Sequence, residues 1–340
     1  MLYFGCFDGI FWGIMASFGS YIIAMALDRG YSQGMVSIMV SGYLVSAFAG
    51  QFFWANLCDR LRTNKRVFIL GVCVTAVTQI LLYLVNTPWV FAILYIALGF
   101  TLQPMGSVLD AWMLRSLEGD VKAYAPARGG GSIGYAVTML GMGKLIARLG
   151  YWIMPVCASL FAAITLAVAL AGQEAAFPEA DQTAKLSFRA TFSALKNGAY
   201  LRMLAVVFLL GMAIAPVNNF KISILKELGG DVSTQGLDGF FSCVAQFAVF
   251  EAGALLARVP AATRLLGGAV MLSVSVLITA NASNCASVIA ATMLVGSCFG
   301  VIMPAGRERI LKTVDARCQT TAIGLMDGCY SFLGGTIAML

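Results

Sequence analysis

Long runs of apolar residues, separated by short polar segments, dominate the chain. A helix that spans a bilayer needs about 20 such residues. Runs of that kind cover residues 3–27, 35–57, 67–85, 89–113, 129–149, 151–172, 202–224, 236–258, 263–281, 286–306 and 319–339. Strands of a membrane barrel would instead alternate apolar and polar positions over about ten residues. The pattern therefore predicts an all-α membrane protein with eleven transmembrane helices.

One connection is longer and more polar than the others, and it follows the sixth run. We predict an N-terminal six-helix bundle over residues 1–172, a cytoplasmic linker over 173–201 and a C-terminal bundle over 202–340. The second bundle would then have five helices and the first bundle six. We therefore expect that a twelfth helix is missing from the sequence, with a genuine eleven-helix protein as the alternative.

The positions of the basic residues predict the orientation of the chain in the membrane. Cytoplasmic loops carry an excess of lysine and arginine. If the N-terminus is cytoplasmic, most of the 22 lysines and arginines fall in cytoplasmic loops. We expect a multi-pass protein of the cell membrane, the inner or plasma membrane, with a cytoplasmic N-terminus.

Composition narrows the function classes. The chain is 60% hydrophobic and only 11% charged, whereas a soluble domain carries about 25% charged residues. It has no histidine, and none of its nine cysteines forms a CxxC pair. We therefore expect no catalytic residues, no metal site and no cofactor. The basic residues lie in short loops, so we expect no nucleic-acid partner either.

The loop after the second predicted helix carries a family signature. In residues 54–66 the Asp-Arg and Lys-Arg pairs match the pattern G-x-L-A-D-R-x-G-R-K-R, although Ala55 and Arg62 replace its glycines. With six helices, a linker and a second set, the chain resembles the major facilitator superfamily. The resemblance implies two pseudo-symmetric helix bundles around a central cavity. It also implies a gating loop formed by Asp59, Arg60, Lys65 and Arg66, with an ordinary basic cytoplasmic loop as the alternative.

A second set of residues resembles one branch of that superfamily, which contains lactose permease, phenylpropionate permeases and nucleoside:proton symporters. Asp110 on the fourth helix precedes Arg128 at the spacing found in that branch, but Pro126 replaces the branch's first arginine. The matching pair in lactose permease binds sugar. The resemblance implies that Asp110 and Arg128 bind substrate; a gate or a structural ion pair is the alternative.

Other ionisable residues inside the predicted helices are candidates because a charge within the bilayer costs several kcal/mol. Glu251 is predicted at mid-depth on the eighth helix, where it matches a glutamate that related permeases use for substrate. We expect it to bind substrate, to carry a proton or to make a structural hydrogen bond. Asp8 and Asp327 on the first and eleventh helices are further candidates for proton coupling, and Asp8 could instead be interfacial.

Two weaker groups complete the candidates. Lys144 and Lys221 lie near the predicted outer surface, where we expect their side chains to snorkel. Asn218 and Asn219 follow Pro216 on the seventh helix. They could bind solute hydroxyls, or they could satisfy a carbonyl that the proline leaves free.

These features favour a secondary active transporter over an enzyme. We expect it to move a small organic solute, such as a sugar, a nucleoside or an aromatic or organic acid, by alternating access with proton symport. A drug or metabolite exporter of the same fold is the alternative, and a non-transporting membrane receptor is less favoured. We expect the partners to be the solute, protons and the lipid bilayer, and the protein to be a monomer.

Overall fold

The fold consists of long helices joined by short turns, as seen in a computed structural model that describes residues 2–117, 121–174, 197–256, 258–314 and 319–339. Within these residues the main helical segments are α1 Leu2–Asp28, α2 Gln33–Leu61, α3 Lys65–Leu84, α4 Pro88–Ser116, α5 Val121–Leu149, α6 Ile153–Ala171, α7 Gly198–Glu227, α8 Val232–Glu251, α9 Ala261–Ala280, α10 Cys285–Thr313 and α11. The last segment, α11, comprises the consecutive pieces Gln319–Gly328, Cys329–Leu333 and Gly334–Met339. Every predicted span falls on one of these segments.

The helix ends differ from the predicted ends where polar residues continue a helix. We predicted α5 from residue 129, but it begins at Val121; we predicted the end of α10 at residue 306, but it continues to Thr313. Apolar runs show only the part of a helix that lipid surrounds, and these polar turns extend beyond it. The eighth helix differs in the opposite way, because it ends at Glu251 rather than at residue 258.

Eight of the described helices are long and apolar enough to cross a membrane by length and composition. The segments outside that set are α5, α8 and α11. Six glycines lie on α5, and α11 is interrupted by the π-helical turn Cys329–Leu333. A π-helical turn, Met15–Gly19, also interrupts α1. Such turns inside α-helices are frequent at functional sites.

Capping residues and glycines set the short turns between helices. The side chain of Ser32 accepts a hydrogen bond from the Met35 amide at the start of α2. Asp231 and Thr234 form a reciprocal capping box at the start of α8, which satisfies amides that lack a partner in the helix. Gly150, between α5 and α6, has a φ of +86°, a conformation that is readily available to glycine.

Two apolar cores organise the described residues. The larger core contains side chains from α1 to α6, among them Phe11 and Trp112, together with Ile222 and Val232 from α7 and α8. The smaller core is formed by side chains of α7, α9, α10 and α11. Residues 1–172 and 202–340 are called the N-terminal half and the C-terminal half below. The division itself, with its linker, stays a prediction.

Several contacts join the halves at the end of the molecule where α1 ends, which we call the Asp28 end. Asp28 on α1 forms an ion pair with Lys226 on α7. The α5 and α8 backbones approach closely at Gly143 and Gly236, where a Cβ on Gly143 would lie 3.0 Å from the Gly236 Cα. The hydroxyl of Ser41 on α2 donates to a backbone carbonyl of α11 at 3.4 Å. The halves are therefore packed together at the Asp28 end.

Candidate functional site

Arg128 lies between two carboxylates from different helices. Its Nη1 donates to Oδ2 of Asp8 on α1 at 3.1 Å, and its Nε lies 3.1 Å from Oδ1 of Asp110 on α4. The side chain of Asp8 is 1% exposed, whereas those of Asp110 and Arg128 are each 33% exposed. One guanidinium from α5 thus joins a fully buried acid to a partly accessible one. We call these three residues the Arg128 cluster.

An aromatic side chain completes the surroundings of the arginine. The Arg128 guanidinium carbon lies 5.0 Å from the centre of the Trp12 ring, within the range of a cation–π interaction. Trp12 in turn meets Tyr135 of α5 edge to face, with ring centres 6.4 Å apart. The guanidinium is therefore held by charge on two sides and by an aromatic face on a third.

Glycines on α5 create the space for this cluster. A Cβ on Gly131 would lie 2.1 Å from Oδ2 of Asp8 and 2.8 Å from Nη1 of Arg128. Gly134 on the same helix faces the backbone of Gly9 on α1. A Cβ on Gly134 would lie 2.4 Å from the carbonyl oxygen of Gly9. Small residues allow membrane helices to approach closely. The close approach of α1 to α5 therefore depends on glycine at these positions.

The Arg128 cluster combines a forked cation with two acids, each of which can take up a proton. Arginine presents a rigid fork of five N–H donors, which matches carboxylates and paired oxygens. The three side chains contain two carboxyl groups and one guanidinium. A proton on either carboxyl group weakens its attraction for Arg128. The arrangement is therefore able to bind hydroxyl oxygens and to hold a proton at the same place.

The sequence predicted part of this cluster. The structure brings Asp110 and Arg128 together, as their spacing suggested, but it also adds Asp8, which we had allowed to be interfacial. Asp8 is buried because α1 packs closely on α5 along the glycines. The roles of these residues in binding substrate and protons stay predictions.

Glu251 lies at the end of a helix rather than inside one, and its predicted depth and its roles in binding substrate and protons stay predictions. It is the last residue of α8 and its side chain is exposed. A further short helix, Gly253–Leu256, follows it. The apolar run continued beyond Glu251, so run length alone misplaced the end of the helix.

Asp327 has a partner that we did not foresee. Its Oδ2 accepts a hydrogen bond from Nη2 of Arg307 on α10 at 3.2 Å. We had assigned Arg307 to a loop, because the predicted tenth helix ended one residue before it. The extension of α10 makes the two side chains neighbours.

A second intramembrane ion pair was missed. Nζ of Lys221 on α7 lies 2.7 Å from Oδ2 of Asp238 on α8. Lys221 therefore does not snorkel, and that expectation was wrong. Asp238 is the third residue of the predicted eighth helix, a position that favours an acidic residue at the membrane surface rather than a buried one. A carboxylate inside an apolar run 17 residues after a lysine was the available signal.

The asparagines after Pro216 lie differently from each other. Asn218 is exposed, whereas the amide of half-buried Asn219 donates to the carbonyl of Ala215 at 2.8 Å. The carbonyl that loses its helical partner at Pro216 belongs to Met212, four residues earlier. Asn219 thus bonds to its own helix, but not at the carbonyl that the proline frees.

The signature loop is tied to the end of α6. Nζ of Lys65 donates to the carbonyl of Gly172 at 2.6 Å, a favourable contact for a cation at a helix C-terminus. The Glu174 carboxylate accepts from the amide of Asn64 at 3.0 Å. Arg60 and Arg66 are exposed. The side chain of Asp59 lies outside the described residues, and the gating role of the loop stays a prediction.

A substitution in this loop shows why the family pattern has a glycine there. Arg62 occupies the position of the second glycine, and it adopts a left-handed backbone with a φ of 51°. Residues other than glycine rarely adopt that conformation. The turn between α2 and α3 is thus kept despite the change of residue.

Long apolar helices, short turns and buried charges between them define a multi-pass membrane protein of the major facilitator fold. The chain belongs to the MFS_1 like family, which matches it over residues 2–340. It is similar to the maltose permease of Geobacillus stearothermophilus, with 22% identity over 332 residues, covering 97% of this chain and 84% of the relative.

Solved transporter structures share this fold. A mutant of the nucleoside transporter NupG superposes with a TM-score of 0.86 at 15% identity, covering 99% of this chain and 89% of that one. A bacterial homologue of the human lysosomal transporter Spinster, in an inward-facing and unoccupied conformation, gives a TM-score of 0.75 at 11% identity, covering 99% and 80%.

Proposed function

We propose that this protein transports a small hydroxyl-bearing solute of the sugar or nucleoside type by alternating access, with proton symport. The observation that carries the proposal is the Arg128 cluster, in which a partly exposed guanidinium lies between two carboxylates and over an aromatic ring. Hydroxyl groups both donate and accept hydrogen bonds, so they suit an arginine–carboxylate pair. Names of relatives with this fold, a maltose permease and a nucleoside transporter, support that solute class.

In our proposal, proton coupling arises from the two carboxyl groups that contact Arg128. Asp110 is accessible enough to meet the solute, while Asp8 is sealed behind it. In our proposal the solute competes with the carboxylates for Arg128, and a proton compensates the carboxylate that is released. Solute and proton would then bind together, which is the requirement for symport.

Alternating access is supported by the packing of the halves at the Asp28 end. With a cytoplasmic N-terminus, the Asp28 end would face the outside, and this structure would be closed there. Rocking one half against the other around a fixed site is the usual movement of such transporters.

The test is uptake of radiolabelled maltose and uridine by purified protein reconstituted in liposomes. We expect saturable uptake of at least one of them, inhibited by its unlabelled form. Empty liposomes and the Arg128→Ala variant provide the background. Absence of both uptake and binding for a panel of neutral sugars and nucleosides would overturn the proposal.

A further inference from the structure

The ion pair between Lys221 on α7 and Asp238 on α8 is buried. The two side chains are 13% and 3% exposed. Removing two charges from water costs several kcal/mol per ion, so such a pair is weak evidence for stability and is often replaceable by apolar residues. Stability alone does not explain why the pair is there, so the groups around it are considered for a role in binding.

Polar groups from both halves meet around this pair. The side chain of Gln235 on α8 donates to the carbonyl of Ser20 on α1 at 2.9 Å. The Ser20 hydroxyl lies 2.8 Å from the hydroxyl of Tyr135 on α5. Both Tyr135 and Cys243 are within electrostatic range of Asp238. The pair thus lies where four helices, α1, α5, α7 and α8, converge.

This polar junction is connected to the Arg128 cluster through one aromatic pair. Tyr135 belongs to the junction, and its ring meets Trp12, which lies against Arg128. Two charged groups, one from each half, therefore lie at opposite ends of the Trp12–Tyr135 pair. A ring-shaped solute on these aromatics would have a charged group on either side.

Some hydrogen-bonding groups of the pair are unused among the described residues. Oδ1 of Asp238 is buried and has no hydrogen-bond partner among the described residues. Lysine has three N–H donors, and Asp238 Oδ2 takes one of those of Lys221. The pair can still offer a donor and an acceptor side by side, and a hydroxyl group uses both.

We propose, building on the proposed function, that Lys221 and Asp238 form a second solute-contact site that takes a hydroxyl group at the end of the solute away from Arg128. The Lys221 ammonium donates a hydrogen bond to the hydroxyl oxygen, and the Asp238 carboxylate accepts a hydrogen bond from the hydroxyl O–H. Because Asp238 neutralises Lys221, the site selects an uncharged group and rejects a carboxylate in the same position. The pair would thereby set the charge specificity of transport.

Asp238→Asn tests this specificity. The asparagine keeps the shape and one acceptor, but it leaves the Lys221 charge unbalanced. We expect uptake of the neutral solute to weaken, and inhibition by its carboxylate counterpart, glucuronate for a sugar or uridine 5′-carboxylate for a nucleoside, to strengthen by about tenfold. The control is Lys226→Met, which removes a lysine from the ion pair at the Asp28 end and should leave the charge preference unchanged.

A second readout does not depend on any solute. Cys243 is a half-buried thiol within electrostatic range of both Lys221 and Asp238. Its rates of modification by anionic and cationic methanethiosulfonates, followed by peptide mass spectrometry, report the local charge. Asp238→Asn should shift the ratio about tenfold towards the anionic reagent, and Lys226→Met should not.

The outcomes separate the two proposals. If the wild-type protein neither takes up nor binds any neutral solute, the proposed function is overturned, and so is the solute-contact role of the pair. The ratio of the Cys243 modification rates then shows whether Asp238 neutralises the charge of Lys221. If transport is intact but neither carboxylate inhibition nor the thiol ratio changes, or if Cys243 is never modified, the second site is wrong. Should Asp238→Asn fail to fold, the Lys221→Gln/Asp238→Asn double variant replaces it. Unaltered affinity for the neutral solute in that double variant would equally refute the site.

Discussion

At the scale of single residues, the proposal depends on contacts of Arg128 that the spacing of charged residues along the chain could not predict. The sequence placed Asp110 and Arg128 near each other, but it did not show that Asp8 is the acid that Arg128 contacts from the buried side. That contact exists because glycines on α5 let α1 approach. The identities of the charged residues were therefore predictable, while their partners depended on packing.

Gly131→Ala should disrupt the Arg128 cluster. Its Cβ would lie 2.1 Å from Oδ2 of Asp8 and 2.7 Å from the Trp12 ring, so these side chains must shift. We expect uptake to fall by about tenfold or more while the protein still inserts in the membrane. Gly141→Ala on the same helix is the control, because nothing lies within 4 Å of its Cβ. Equal uptake by the two variants would argue against the cluster as the site.

Arg128→Lys should also impair transport, although it keeps the charge. Lysine is a point charge and cannot hold two carboxylates with a planar fork. We expect solute affinity, measured by equilibrium binding, to drop about tenfold or more. The exposed Arg148 on the same helix supplies the matched control, Arg148→Lys, which should bind like the wild type. Wild-type affinity in Arg128→Lys would show that the fork does not contact the solute.

At the scale of helices, the prediction succeeded where lipid determines the pattern and failed where polar contacts do. Apolar runs located every described segment because the bilayer requires about 20 apolar residues in each. They misplaced the end of α8, because an apolar run need not stop where the helix stops. The apolar runs also did not predict the Lys221–Asp238 pair, because an acidic residue near a predicted helix end is expected to contact solvent.

The seam between α5 and α8 provides a test at this scale. A Cβ on Gly143 would lie 2.8 Å from the carbonyl oxygen of Val232, which is backbone and cannot move aside alone. Gly143→Ala should therefore separate the two helices at the Asp28 end. Cysteines placed at positions 28 and 226 report this separation, because a short bismaleimide joins them only when the end is closed. We expect a lower cross-linking yield in peptide mass spectra.

The control for that experiment is again Gly141→Ala, two residues away on the same helix and without a neighbour in contact. It should cross-link like the parent protein. An unchanged yield in Gly143→Ala would mean that the seam does not govern closure.

At the scale of the whole molecule, we propose that the contacts at the Asp28 end close this end during transport. Asp28 pairs with Lys226 across the halves, and it also accepts a hydrogen bond from the phenol of Tyr151. Burial raises the pKa of Tyr151, and the bond to Asp28 raises it further, so the phenol stays protonated and donates. One carboxylate thereby holds α1, α7 and the start of α6 together.

Locking this closure should stop transport altogether. In liposomes, a cleavable bismaleimide between Asp28→Cys and Lys226→Cys should abolish uptake, and cleavage of the linker should restore it. Each single cysteine variant treated in the same way should remain active. Undiminished uptake with a complete cross-link would contradict alternating access in which this end opens.

The central claim is that solute and proton cross the membrane together through the Arg128 cluster, and accumulation against a gradient tests it most directly. Liposomes containing the wild-type protein are given an imposed inward proton gradient, and the internal concentration of the transported sugar or nucleoside is followed over time. We predict accumulation above the external concentration for the wild type, and equilibration without accumulation for Asp8→Asn. Equilibration by the wild type regardless of the gradient, or full accumulation by Asp8→Asn, would contradict the account.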